Sequence, residues 1–140
     1  MIILDTNVIS ELVRREPSPV VIANLRRYPS NDLYTTAIAE AEIRLGLAIL
    51  PRGKKHTVLR NQLDLILKQE FAGRILPFDS TAAQAYGSLS AASRAAGRPI
   101  SVFDAQIAAI TLVNGATLAT RNVRDFRGIK LPVVDPWVEL

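Results

Sequence analysis

The chain opens on an apolar run, Ile2-Ile3-Leu4, closed by a carboxylate at Asp5, and this reads as a short buried strand over residues 2–5. From there, runs of strand length alternate with stretches of helical spacing. A helix is predicted from Pro19, suited to a first turn, to Arg27. Leu33-Tyr34-Thr35 reads as a second strand, and Thr36 as the N-cap of a helix that reaches Leu50 and stops at Pro51 and Gly53. A second amphipathic helix covers Lys54 to about Glu70. Arg74-Ile75-Leu76-Pro77-Phe78 reads as a strand, and Pro77 assigns it to an edge because proline cannot donate to a ladder. An alanine-rich helix follows from Ser80 to Ala96, closed by Gly97, and a very apolar one from Ser101 to Val113, stopped by Asn114-Gly115. Thr117-Leu118-Ala119-Thr120 reads as a buried strand and Val133-Val134 as a last short one. Such alternation predicts an α/β fold, a three-layer α/β/α sandwich with a mainly parallel central sheet. No repeat or linker-like shift interrupts the 140 residues, which suit one domain over residues 1–140.

Composition narrows the chemistry. There is no cysteine, which excludes disulfides, zinc–thiolate sites and thiol catalysis. The single histidine, His56, follows Lys54-Lys55 at a helix start and reads as a surface residue, not a general base. Neither a signal peptide nor a membrane span is expected, since no basic leader and no run of about 18 apolar residues is present. The net charge is +4, with arginines in close sets at Arg14-Arg15, Arg26-Arg27 and Arg121, Arg124 and Arg127. That balance permits a polyanionic partner, although solvated helix faces would produce it too. Trp137 reads as a packing anchor near the C-terminus.

Four acids stand where an ordinary reading is strained. On the helix from Thr36, the residues Ile38, Leu45 and Ile49 fall within about 20° of one line, and Glu42 only about 40° from it. An unpaired carboxylate on a buried face is costly, so Glu42 needs a cation or a metal. Asp5 ends a strand, where α/β folds collect ligands, and could equally cap a helix starting at Thr6. Asp104 lies three residues after Ser101, a spacing that also fits a capping box. Asp125, with Asn122, sits in Thr120-Arg121-Asn122-Val123-Arg124-Asp125-Phe126 past a strand, and turn chemistry would account for it alone. Two carboxylates about 5 Å apart at an effective dielectric of about 20 repel by roughly 3 kcal/mol. A divalent cation removes that repulsion, and an all-oxygen donor set selects Mg²⁺ or Mn²⁺ over Zn²⁺.

Asp5-Thr6-Asn7-Val8-Ile9-Ser10, Ala41-Glu42-Ile43-Arg44-Leu45-Gly46, Ser101-Val102-Phe103-Asp104-Ala105 and Thr120-Arg121-Asn122-Val123-Arg124-Asp125-Phe126 resemble, in order and spacing, the motifs of PIN-domain proteins. More narrowly, the chain resembles the toxin half of VapBC-type toxin–antitoxin pairs and their FitB-like subgroup. The segment 73–79 and Asp135-Pro136-Trp137 fit that subgroup too. The resemblance implies a Mg²⁺- or Mn²⁺-dependent cytoplasmic endoribonuclease that cuts single-stranded RNA. It implies a homodimer neutralised by a small antitoxin, through which it meets operator DNA. Asp5, Glu42 and Asp104 carry over as catalytic acids and metal ligands. At the fourth position the chain departs from the subgroup, which places an acid where Asn122 stands. Asp125 is assigned as that acid, with Asn7, Thr120, Arg121, Asn122 and Arg124 around the site or against the substrate.

Two other functions are compatible with parts of this pattern. A haloacid-dehalogenase-type phosphatase also opens with an Asp after an apolar strand, but needs a second Asp where Asn7 stands, and an amide cannot serve as the acid. A low-turnover module that dimerises a DNA-binding antitoxin in a repressor complex is the other. Leu12, Val13, Leu47, Leu50, Leu59, Leu63 and Leu67 are more apolar surface than one core face needs, and predict a groove for an antitoxin segment.

Overall fold

The computed structural model describes residues 1–139. The elements run β1 (Ile2–Leu4), α1 (Thr6–Leu12), α2 (Pro19–Leu25), β2 (Leu33–Thr36), α3 (Ala37–Ile49), α4 (Lys54–Leu65), β3 (Ile75–Leu76), α5 (Ser80–Ala95), α6 (Val102–Val113), β4 (Thr117–Ala119) and β5 (Val133–Val134). The strands form one sheet in the order β3-β2-β1-β4-β5. Every pairing is parallel, with Ile2 opposite both Leu33 and Thr117. This is the expected α/β/α sandwich. As the proline suggested, β3 lies at an edge; it is shortened to two residues by Pro77.

Period-two alternation along β1 separates two cores. Ile2 and Leu4 pack with Val8, Ile9, Val21, Leu25, Leu63 and Leu67, under α1, α2 and α4. Ile3 packs on the other face with Ala82, Leu89, Ile107, Ile110 and Leu118, against α5 and α6. A sheet covered on both faces needs strands that are apolar throughout, which β1 is.

Two predicted elements differ. One helix is expected between the first two strands, and the structure has two. Asp5 caps the first of them, so the short segment after β1 is already helical. The helix expected to Glu70 is α-helical to Leu65 and then widens into a π turn over Ile66–Glu70. Among the described residues, no helix is long and apolar enough to cross a membrane.

Candidate active site

The sheet order reverses at β1. The chain leaves β1 for β2 and β3 on one side, then returns to lay β4 and β5 on the other. A crevice opens beyond the carboxyl ends of the strands at such a switch point. Asp5 follows β1 there and Thr120 follows β4, and the Asp5 amide donates to the Ala119 carbonyl at 2.9 Å.

Asp5 is the centre of a hydrogen-bonded cluster. It is 3% exposed. One carboxylate oxygen accepts from the Thr6 amide at 2.8 Å and the other from the Thr120 hydroxyl at 2.7 Å. Asn7 braces the two strand ends, donating to Thr120 Oγ1 at 3.2 Å and accepting from the Arg121 amide at 3.2 Å. The Asn122 amide also donates to Thr120 Oγ1, at 3.1 Å. Burial pushes the Asp5 carboxyl up to about 6; the bonds from Thr120 and Thr6 pull it down, and Asp104 and Glu42 add repulsion.

Glu42 accepts from the Thr6 hydroxyl at 2.7 Å. It reaches the crevice for a reason other than the predicted one. Of the stripe Ile38–Leu45–Ile49 only Ile38 packs on a core, that of α5 and α6, for Leu45 is 58% and Ile49 is 73% exposed. The core-facing residues of α3 are Ala39, Ile43 and Leu47. Glu42 is half-buried beside that face, where α3 passes α1. Asp104 stands in the first turn of α6, where its amide donates to Ser101 Oγ at 3.2 Å, so the capping role and a place at the crevice coexist. Burial raises the Asp104 pKa, a bond with Ser101 opposes the shift, and the charge of Asp125 adds to it.

Asp5, Glu42 and Asp104 line one cavity of about 460 Å³, together with Asn7, Arg121 and Asn122. Asp125 does not line it. Its 3₁₀ turn, Val123–Phe126, places Asp125 and Arg124 beside Asp104 on a neighbouring cavity. His56 lines neither cavity.

Five cavity residues are not among the predicted site residues: Thr6, Ser10, Glu11, Arg14 and Trp137. Asn7, Ser10, Glu11 and Arg14 recur at i, i+3, i+4 and i+7, a polar stripe that becomes visible once a helix is assigned after Asp5. Glu11 is buried and pairs with Arg14 at 3.1 Å. Trp137 is partly a packing anchor, against the α1–α2 core, and also carries the Arg121 guanidinium over its ring at 5.0 Å. Buried Asn24 holds the C-terminal turn in place by donating to the carbonyls of Pro136 and Val138 at 2.8 and 2.9 Å.

Among the described residues, no three carboxylate or imidazole groups stand close enough to enclose an ion as they are placed. The donor chemistry nevertheless fits a hard divalent cation. The three acids on the cavity are all-oxygen donors, and their mutual repulsion and burial are what a cation would relieve.

The PIN-domain family model matches residues 2–130. The chain is 41% identical to the VapC ribonuclease Y4jK of Sinorhizobium fredii over 98% of its own length and 98% of that protein's. It is 42% identical to Toxin FitB of Neisseria gonorrhoeae over 98% of its length and 99% of that protein's. A solved structure of FitAB bound to an IR36 DNA fragment superposes with a TM-score of 0.92 at 40% identity, covering 100% of this chain and 98% of that one. The chain belongs to the PIN-domain family, and within it to the VapC- and FitB-like toxins.

Proposed function

We propose that this protein is a metal-dependent endoribonuclease, the toxin of a toxin–antitoxin pair. The observation that carries the reading is Asp5: a buried carboxylate at the sheet's switch point, sharing a cavity with Glu42 and Asp104. Asp5, Glu42 and Asp104 would hold Mg²⁺ or Mn²⁺, whose chemistry when bound is to neutralise phosphate charge and lower the pKa of a water. Thr6 and Thr120 fix the orientation of Asp5, and Thr6 also fixes Glu42. Asn7 ties the β1 and β4 ends together so that these carboxylates keep their spacing. Asp125 enters as the fourth acid from the far side of Asp104, and Asn122 supports Thr120. Arg121, over the ring of Trp137, is placed to meet the sugar-phosphate backbone, with Arg124 further along. Exposed single strands fit this open crevice better than the deep groove of duplex RNA.

The antitoxin surface adjoins the site. Thr6, Ser10 and Glu42 also edge a groove of about 300 Å³ whose apolar floor includes Val13, Leu47, Leu50 and Leu59. Of the seven residues expected there, Leu63 and Leu67 are already buried in the core, whereas the other five are partly exposed. An apolar antitoxin segment lying in this groove would bring a following basic residue to the acids. Exposed Leu45, Ile49, Val58 and Leu65 offer the surface for homodimer or antitoxin contacts.

The test is cleavage of single-stranded RNA by the free protein. Activity with Mg²⁺ or Mn²⁺ that is abolished by chelator and by Asp5→Asn supports the reading. Equal cleavage by wild type and Asp5→Asn would assign the activity elsewhere. No cleavage under any metal would leave the dimerising-module reading.

A further inference from the structure

The second cavity, of about 450 Å³, shares Asp104 with the first and is lined by three arginines, Arg98, Arg124 and Arg127. Their side chains make no hydrogen bond or ion pair among the described residues, although Asp104 and Asp125 line the same space. Other arginines of the chain do find carboxylates, as Arg14 does with Glu11 and Arg44 with Glu40 and Asp64. Three cations against two acids leave the cavity one positive charge in excess. Guanidinium groups without protein partners keep their donor forks free for an external anion, and phosphate is the anion whose geometry matches them.

The backbone helps to place one of the three. Gly128 has φ +81°, a conformation that side-chain-bearing residues rarely adopt. A Cβ there would come within 3.0 Å of Arg98 Nη1. Arg98 therefore passes close over the bare backbone at Gly128.

We propose that this cavity seats a backbone phosphate of the RNA strand, held by Arg98, Arg124 and Arg127 on a nucleotide flanking the one cut at Asp5. The inference rests on the nuclease reading above and extends it beyond the acidic cavity. With Asp104 at the boundary, a strand crossing the site would meet Arg121 on one side of it and this seat on the other.

The experiment measures binding of single-stranded RNA oligonucleotides of increasing length to the full chain carrying Asp5→Asn, so that cleavage does not intervene. Arg98→Ala with Arg127→Ala, added to that protein, should weaken binding of the longer oligonucleotides about tenfold or more. The slope of log K against log salt should become shallower by about 0.7, the contribution of the one single-strand phosphate that is no longer neutralised. Oligonucleotides too short to leave the acidic cavity should bind as before. Arg52→Ala with Arg60→Ala, two exposed arginines outside both cavities, controls for the same loss of two charges. Arg98→Lys should lose part of the long-strand binding by keeping charge without the fork. Equal effects of the double variant and of Arg52→Ala with Arg60→Ala, or equal effects at every length, would overturn the seat. So would loss of duplex DNA binding with RNA binding intact. Cleavage by the wild type, run in parallel, tests the underlying reading separately: cleavage without arginine sensitivity sinks only the seat.

Discussion

Replacing Asp5 by asparagine should abolish cleavage and yet make the metal-free protein more stable at alkaline pH. The carboxyl stands at about 6 in the fold against 3.8 for the free group. A raised acid favours the folded state while it stays protonated, and that advantage disappears as pH climbs from the unfolded value through the folded one. At pH 8 the shift corresponds to about 3 kcal/mol spent holding Asp5 ionised, and at pH 5 to about half of that. Asparagine escapes the ionisation cost. It cannot accept from both Thr6 and Thr120, which costs about 1 kcal/mol at every pH. The net gain is about 2 kcal/mol at pH 8, or about 6 °C in Tm, and only about 0.5 kcal/mol at pH 5. Thermal unfolding of both proteins in chelator at the two pH values measures this directly. Adding Mg²⁺ at pH 8 should then raise the Tm of the wild type and leave that of Asp5→Asn nearly unmoved. A stability difference that does not grow with pH would refute the claim that Asp5 is the strained group. A gain for Asp5→Asn equal to the wild type's on adding Mg²⁺ would remove Asp5 from the metal site.

Thr120→Val removes the hydroxyl that donates to Asp5 and should raise the Asp5 pKa further; the acidic limb of the pH–rate profile for RNA cleavage moves to higher pH, and an unmoved limb would show that another group sets it. Asn24→Ala strips a buried carbonyl, that of Pro136, and a partly buried one, that of Val138, of their donor and should cost about 1–3 kcal/mol in urea unfolding. Its effect on the site should appear as a shifted emission of Trp137, the only tryptophan, and an unshifted spectrum would mean that the C-terminal turn is held otherwise. Leu59→Gln, on the groove wall, should weaken antitoxin binding about tenfold while changing stability by about 1 kcal/mol or less; unchanged affinity in a titration would place the antitoxin elsewhere.

Much of this protein is legible from the order of its residues. Short runs at residues 2–4 and 117–119, apolar but for Thr117, suit strands covered on both faces, and helices between them force parallel crossovers. Asp5 at the end of the first strand and Asp104 three residues after Ser101 announce themselves by position, because strand ends and helix starts are local properties. Even the ordinary reading of Asp5 as a helix cap is correct, and Ser101 caps the helix that carries Asp104, so both caps coexist with a place on the cavity. What a period cannot supply is which face of a helix another element covers. Most of the stripe that draws attention to Glu42, Leu45 and Ile49, lies in solvent, and Glu42 reaches the cavity because α3 packs beside α1 and Thr6 is there to bond it. The division of Asn122 and Asp125 between two cavities depends on how one 3₁₀ turn is wound. The approach of Arg98 to Gly128, 30 residues later, depends on the loops around α6. Local chemistry is written in neighbouring residues, whereas the company a side chain keeps across the chain is set by packing, and only the folded structure decides it.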